Sequence, residues 1–241
     1  MTNRVVLVDG SSILYRAFFA MPHLSTATGI PTGAILGTTT MLLAIIEELD
    51  PCYMGIFFDR RAPTYRHTMF KEYKANRETM PDELVSQLHN LKDLIHALGL
   101  TTQEKDGLEA DDLIGIYSHA ADQENVPCTI YSGDNDLLQL TDANTSVRIT
   151  IKGVRQIKEY TPDVIREEFG LEPLQLIDVK ALKGDPSDNI PGIRGIGDKT
   201  AISLIHEYDS VQALLEQGGP ERYRKLISEN PEFQSRTAEN L

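Results

Sequence analysis

A chain of 241 residues can bury a sizeable core, as one domain or as one with a small appendage. With 23 Lys and Arg against 36 Asp and Glu, the formal net charge is −13, which argues against polyanion binding unless the basic residues are clustered. No apolar run is long enough for a membrane helix or a signal peptide, and the two cysteines, Cys52 and Cys128, lack CxxC spacing and read as apolar fillers in a reducing compartment, so a soluble cytoplasmic protein is expected.

The first element is the apolar run VVLV (5–8), a buried strand, followed by a helix over 11–21 capped by Ser11 or Ser12. A second helix over 32–48 ends before Asp50-Pro51, and MGIFF (54–58) is the second strand. The stretch 62–76 has no clean period and mixes Tyr65, Phe70 and Tyr73 with charge. Between 60 and 77 lie Arg60, Arg61, Arg66, Lys71, Lys74 and Arg77 against Glu72 alone, so the cations are clustered. Helices over 81–98 and 108–124, a strand CTIYS (128–132), a short helix over 136–140 and a strand SVRITI (146–151) follow. After 160 the pattern is helical: 162–169, 173–182, a Gly-rich hairpin, 199–208, 211–217 and 221–228. An α/β core with a mostly parallel sheet therefore gives way to a helical appendage at about 160–185.

Nine carboxylates sit where strands or turns end: Asp9, Asp59, Glu109, Asp111, Asp112, Asp134, Asp136, Asp185 and Asp188. In an open α/β sheet the carboxyl ends of the strands line the functional crevice. Acids crowded there repel one another unless cations neutralise them, and oxygen ligands without Cys or His favour Mg²⁺ or Mn²⁺. Each cluster alone also reads as local structure: first-turn acids for Glu109-Ala-Asp-Asp, an N-cap for Asp134, turn chemistry for Asp185-Pro-Ser-Asp188. Their recurrence after apolar strands favours a two-metal phosphodiester site.

The segment around Gly192, Gly195, Gly197, Lys199 and Thr200 fails the Walker pattern, because Asp198 separates Gly197 from Lys199. It fails the dinucleotide fingerprint at Thr200, and no HExxH or GxSxG motif occurs. It reads as two helices joined by a Gly-rich hairpin, either a packing turn or an element whose amides and helix N-terminus hold a phosphate.

VDGSS, FD followed by TYR, FKEYKANR, GLEADD, SGDNDLLQL and ALKGDPSDNIPGIRGIGDKTA together resemble the flap-endonuclease family of 5′ nucleases, most closely the branch at the N-terminus of bacterial DNA polymerase I. The resemblance runs in order over residues 4–205 and implies a PIN-like sheet, a helical arch and a C-terminal helix-hairpin-helix subdomain. The division it implies is 1–175 for the core, with the arch at about 62–100, and 176–241 for the duplex-binding part. By resemblance and spacing, Asp9, Asp59, Glu109 and Asp111 would cradle one ion. Asp112, Asp134, Asp136 and Asp185 would hold a second, with Asp188 outside them. Lys74 and Arg77 would reach the scissile phosphate as catalytic cations. Arg16, Arg66 and Tyr73 would contact DNA, Tyr73 by stacking on a base or else as a packing residue of the arch. The hairpin glycines, Lys199 and Thr200 would grip duplex backbone and carry a K⁺. The implied substrate is DNA with a 5′ single-strand/duplex junction (flaps, nicks, primer ends), cut by a monomer that is a piece of a longer polymerase chain. Ala62-Pro63 departs from the family, where Gly is common, and stiffens the arch entry.

Two other functions compete. A non-catalytic junction-binding module would have lost carboxylates, and none is missing. A PIN-type ribonuclease would be shorter and would lack both the basic arch and the hairpin.

Overall fold

The structure, a computed structural model, describes residues 2–152 and 156–217, with Glu221 and Lys225. The chain forms two compact units. The first comprises the described residues up to Met69 with Glu78–Pro162; the second comprises Phe70–Arg77 and the described residues from Asp163 on.

The first unit is built on a six-stranded sheet in the order β3-β2-β1-β4-β5-β6, with β1 Thr2–Asp9, β2 Pro51–Phe57, β3 Thr101–Gln103, β4 Cys128–Ser132, β5 Thr145–Lys152 and β6 Gln156–Tyr160. β1 to β5 pair in parallel, and β6 is antiparallel to β5. Val6, Leu7 and Val8 of β1 are fully buried, as are Ile56 and Phe57 of β2 and Ile130 and Tyr131 of β4. Burial on both faces is why these strands read as unbroken apolar runs. One face packs on α1 (Gly10–Ala20), α2 (Gly33–Leu49) and α4 (Asp82–Ala97), through Ile13, Leu14, Leu42, Leu84 and Leu91 against Val6 and Val8. The other face carries α5 (Ala110–Gln123), whose Tyr117 ring meets Phe57 edge-on.

The register sets the functional edge. Asp9 lies opposite Phe57 and Val8 opposite Tyr131, so β1, β2 and β4 end at one level. Chain direction across the sheet reverses between β1 and β4, the place where open α/β sheets take their ligands.

The structure revises several local expectations. α1 is capped by Asp9, whose carboxylate accepts the Ser12 N–H at 2.9 Å, and not by Ser11 or Ser12. Thr32 gives α2 no side-chain cap; instead buried Gln87 of α4 accepts the N–H groups of Ala34 (2.8 Å) and Ile35 (3.4 Å). A helix end buried in a core needs such a partner. The edge strands β3 and β6 are additional to the strands expected. Over 62–100, where an arch is expected, the chain forms α3 (Tyr65–Met69), a string of turns and α4. Cys128 is buried, whereas Cys52 is exposed and is not a filler.

The second unit contains α6 (Pro162–Phe169), α7 (Gln175–Lys183), α8 (Asp198–Tyr208) and α9 (Val211–Gln217) around Leu182, Ile193, Ile196, Leu204, Ile205 and Leu214. The helix expected over 221–228 falls largely outside the described residues. Between α7 and α8 the chain doubles back through Gly184, at φ 77°, and a bridge between Asp185 and Ile190. A Cβ on Gly192 would stand 2.0 Å from the Lys183 carbonyl oxygen, and one on Gly184 would stand 2.2 Å from the Gly192 nitrogen. The two glycines thus let two backbones touch. Gly192→Ala should destabilise the protein by about 3 kcal/mol or more, because backbone and not a yielding side chain must move. Gly195→Ser, facing open space, tests the contrast: it should cost only the strain of a residue at φ 88°. Equal melting temperatures for Gly192→Ala and the wild type would refute the close-packing account.

Candidate functional site

In the first unit the strand-end acids are held by short bonds from neighbouring strands. Asp9 is 4% exposed and accepts from the Ser12 N–H and from the Ser132 hydroxyl at 2.6 Å. Burial pushes its pKa up to about 6; the two hydrogen bonds pull the other way, and the Asp59 and Asp134 carboxylates add to the rise. Asp59 and Asp134 therefore each lie within electrostatic reach of Asp9. Asp59 accepts the N–H of Ala110, the first residue of α5, at 2.9 Å. Its own N–H donates to Ser11 Oγ at 3.0 Å. Asp134 caps a short 3₁₀ turn, Asn135–Leu140, by accepting the Asp136 N–H at 2.9 Å, and Asp136 stands in that first turn.

Sequence reasoning missed the serines. The Ser132 hydroxyl donates to Asp9 while accepting the Asp134 N–H at 2.9 Å; Ser12 Oγ accepts the Gly133 N–H at 2.9 Å; Ser11 holds Asp59. Three hydroxyls thus stitch the ends of β1, β2 and β4 together. The available signal was a Ser beside the Asp in both VDGSS and YSGD.

Glu109 is buried at the N-cap of α5 and forms a reciprocal capping box with Asp112, whose Oδ2 accepts the Glu109 N–H at 2.8 Å. Asp111 stands beside it in the first turn. Arg66 of α3 grips both oxygens of Asp112, with Nη1 and Nη2 each at 2.8 Å, and lies 3.7 Å from Glu109. Burial alone would lower the Arg66 pKa; the bonds and charges of Asp112 and Glu109 outweigh it and raise it. Its two terminal nitrogens thus engage a carboxylate in the fork geometry arginine favours.

Arg16, on α1, donates from Nη1 to the Ile151 carbonyl at 3.1 Å, while its buried Nε has no partner. It borders a cleft of about 460 Å³ with Ser12, Tyr15, Phe19 and Ala20, where the Tyr15 and Phe19 rings stack. An unsatisfied buried guanidinium donor beside a cleft calls for an acceptor there.

The remaining expected residues lie in the second unit. Asp185 is paired with Lys180 at 2.8 Å and accepts the Ser187 N–H. Burial would raise its pKa, but Lys180 and Ser187 outweigh that and pull it down to about 2. Asp188 gathers Tyr73, Lys74 and Arg77: it accepts from the Tyr73 hydroxyl at 3.1 Å and from Arg77 Nη2, with Lys74 Nζ at 4.0 Å. Tyr73 is 5% exposed, with the Lys74 ammonium over its ring, so it is a packing residue here and has no free face for a base. At the hairpin, Ile193 and Ile196 anchor in the core, while Gly195, Gly197 and Lys199 are exposed, Thr200 is half-buried and Arg194, an unforeseen cation, is exposed. Gly192 serves the backbone crossing.

No group of three or more His, Cys, Asp or Glu side chains among the described residues closes around an ion by itself. The donor set at the ends of β1, β2 and β4 is nonetheless all oxygen, and the Asp59 and Asp134 carboxylates add to the burial that raises the Asp9 pKa. An ion bound there would keep water in part of its shell, as Mg²⁺ does.

A family model described as "5'-3' exonuclease, N-terminal resolvase-like domain" matches residues 4–170, and one described as "5'-3' exonuclease, C-terminal SAM fold" matches 171–238. DNA polymerase I of Bacillus subtilis (strain 168) is 43% identical over 235 residues, covering 97% of this chain and 27% of that protein. DNA polymerase I of Bacillus caldotenax is 45% identical over 215 residues, covering 89% and 24%. The chain thus spans about a quarter of the length of these relatives. Among solved structures, the T5 D15 protein co-crystallized with metal ions aligns with a TM-score of 0.77 at 20% identity, over 95% of this chain and 86% of that one. Flap endonuclease-1 from Methanococcus jannaschii aligns with a TM-score of 0.60 at 19% identity, over 93% and 77%. These likenesses bear on the fold, which is the mostly parallel, helix-flanked sheet with a helical C-terminal part expected from the sequence.

Proposed function

The chain belongs to the 5′-3′ exonuclease family, and from that premise we propose that it is a structure-specific 5′ nuclease that hydrolyses DNA phosphodiesters beside 5′ single-strand/duplex junctions. The observation that carries the reading is the meeting of Asp9, Asp59 and Asp134 where three parallel strands end, with the Asp9 pKa lifted to about 6. T5 nuclease structures of the same fold, solved with zinc, with metal ions and with DNA, support both the cofactor and the substrate.

Asp9, Asp59, Glu109, Asp111, Asp134 and Asp136 would hold two Mg²⁺ or Mn²⁺ ions. When bound, such ions activate a water and stabilise the leaving oxygen. The protein's own part is positioning: Ser132 and the Ser12 N–H aim Asp9, the Ala110 N–H aims Asp59, and Arg66 fixes the capping box that carries Glu109. Lys74 and Arg77 would receive the charge of the scissile phosphate, and Arg16 a neighbouring phosphate. The exposed turn around Gly195, Gly197, Lys199 and Thr200 would hold duplex backbone, with K⁺ on its carbonyls. In a longer parent chain a polymerase would follow. We expect a cytoplasmic monomer.

The test is cleavage of a 5′-flap oligonucleotide in Mg²⁺ against chelator, with matched single-stranded and blunt controls. Flap-selective, Mg²⁺-dependent release of 5′-phosphate products is expected, and an inert protein would sink the reading. At the hairpin, Lys199→Ala should weaken duplex-containing substrates evenly across sequences and lower the slope of log affinity against log salt by about 0.9. Coincident salt titrations for variant and wild type would reduce the hairpin to a packing turn.

A further inference from the structure

The segment Phe70–Arg77 is fastened to the turn after α7 by a series of bonds, all inside the second unit. Lys74 N–H donates to the Asp188 carbonyl at 2.9 Å, Asn76 Nδ2 to the Pro186 carbonyl at 2.8 Å, and Asn189 Nδ2 to the Glu72 carbonyl at 2.7 Å. Arg77 Nε donates to the Ser187 carbonyl at 3.4 Å, and the Asp188 carboxylate takes Arg77 Nη2 on one oxygen and the Tyr73 hydroxyl, with Lys74 Nζ beyond it, on the other. Lys74 and Asn189 face each other across this fastening with φ of 56° and 58°. Left-handed backbone at a lysine is uncommon and costs about 1 kcal/mol or more, so the arrangement persists because the contacts hold it.

A carboxylate with an arginine, a lysine and a hydroxyl on its two oxygens is the donor set a phosphodiester would receive. Two cations against one anion leave a net positive charge, so a phosphate is attracted while the carboxylate is still in place. We propose that Asp188 is a stand-in for the substrate phosphate: it holds Lys74 and Arg77 in the substrate-free protein and yields them when a phosphodiester arrives. This rests on the assignment of those two cations to DNA phosphate, and it gives Asp188 a role other than outer metal ligand. The exchange keeps each cation beside an anion both before and after the phosphodiester arrives.

The experiment is equilibrium binding of 5′-flap DNA in chelator, by fluorescence anisotropy across a salt series. Asp188→Asn keeps the backbone bonds and an acceptor for Tyr73 but removes the charge. It should bind about five- to tenfold more tightly than wild type, the scale of releasing one competing charge-assisted bond. The gain should vanish in Asp188→Asn combined with Lys74→Ala and Arg77→Ala. Tyr73→Phe, which loosens the same segment without freeing a charge, should leave affinity unchanged. Equal or weaker binding by Asp188→Asn, or the same gain from Tyr73→Phe, overturns the proposal. A readout without variants is the Arg77 Nε–H resonance, which should move on saturation with flap DNA; an unmoved resonance also overturns it. Wild-type cleavage in Mg²⁺ is run in parallel, so that tighter binding by Asp188→Asn with no cleavage would refute the nuclease reading and leave the exchange standing.

Discussion

Asp9→Asn should lower the rate of flap cleavage about a thousandfold, the scale of deleting one preorganised electrostatic group, while raising the melting temperature of the metal-free protein at pH 8. The second effect follows from the carboxyl's raised pKa. Burial pushes Asp9 up to about 6 in the folded chain from its ordinary 3.8, so the folded state binds the proton more tightly than the unfolded state. Its contribution is most favourable below about pH 4, is lost as pH rises through 6, and is flat above that. The cost of ionising it in place is roughly 3 kcal/mol. An Asn can accept the Ser12 N–H and donate to Ser132 Oγ, so much of that cost should be recovered, about 1–2 kcal/mol after imperfect bonding. Calorimetry in chelator at pH 8 and pH 4.5 checks it. The gain should appear at the higher pH and disappear at the lower, where the wild-type Asp9 is protonated. A variant less stable than wild type at pH 8 would mean that the acids at this edge do not oppose folding.

For Arg66→Ala, a loss of about 2 kcal/mol in stability and of about 10- to 100-fold in cleavage is expected. The pair with Asp112 lies between the exposed and buried regimes, since the Arg66 side chain is 30% and that of Asp112 16% exposed. Its removal leaves Asp112 with charge but without its fork, on the capping box that positions Glu109. Arg66→Lys keeps the charge and cannot make two parallel bonds, so it should recover less than half of either loss. The discriminating measurement is the Mg²⁺ dependence of the single-turnover rate beside DNA affinity in chelator. A carboxylate-positioning arginine shifts the first and spares the second; a DNA-contacting one does the reverse.

The sequence by itself determined the parallel strands and the acids at their ends. An apolar run buried on both faces carries its signal in consecutive residues, as VVLV and CTIYS do, and an Asp one or two places beyond such a run must stand at the strand's carboxyl edge. Helices over 162–169 and 211–217 were legible for the same local reason. The short edge strands β3 and β6 were not, because three or five half-exposed residues have no period strong enough to announce a strand. Tertiary structure alone decided the pairings across long separations: Ser132 on Asp9 over 123 residues, Gln87 on the start of α2 over 53, Arg66 on Asp112 over 46. It also buried Tyr73, for which the sequence left both stacking and packing open, and gave Gly192 its reason in the Lys183 carbonyl 2.0 Å from where a Cβ would stand. Local sequence states which groups need a partner, a buried acid or an uncapped helix. Which distant residue answers that need depends on how the helices and strands pack, and no pattern within a short stretch of chain contains it.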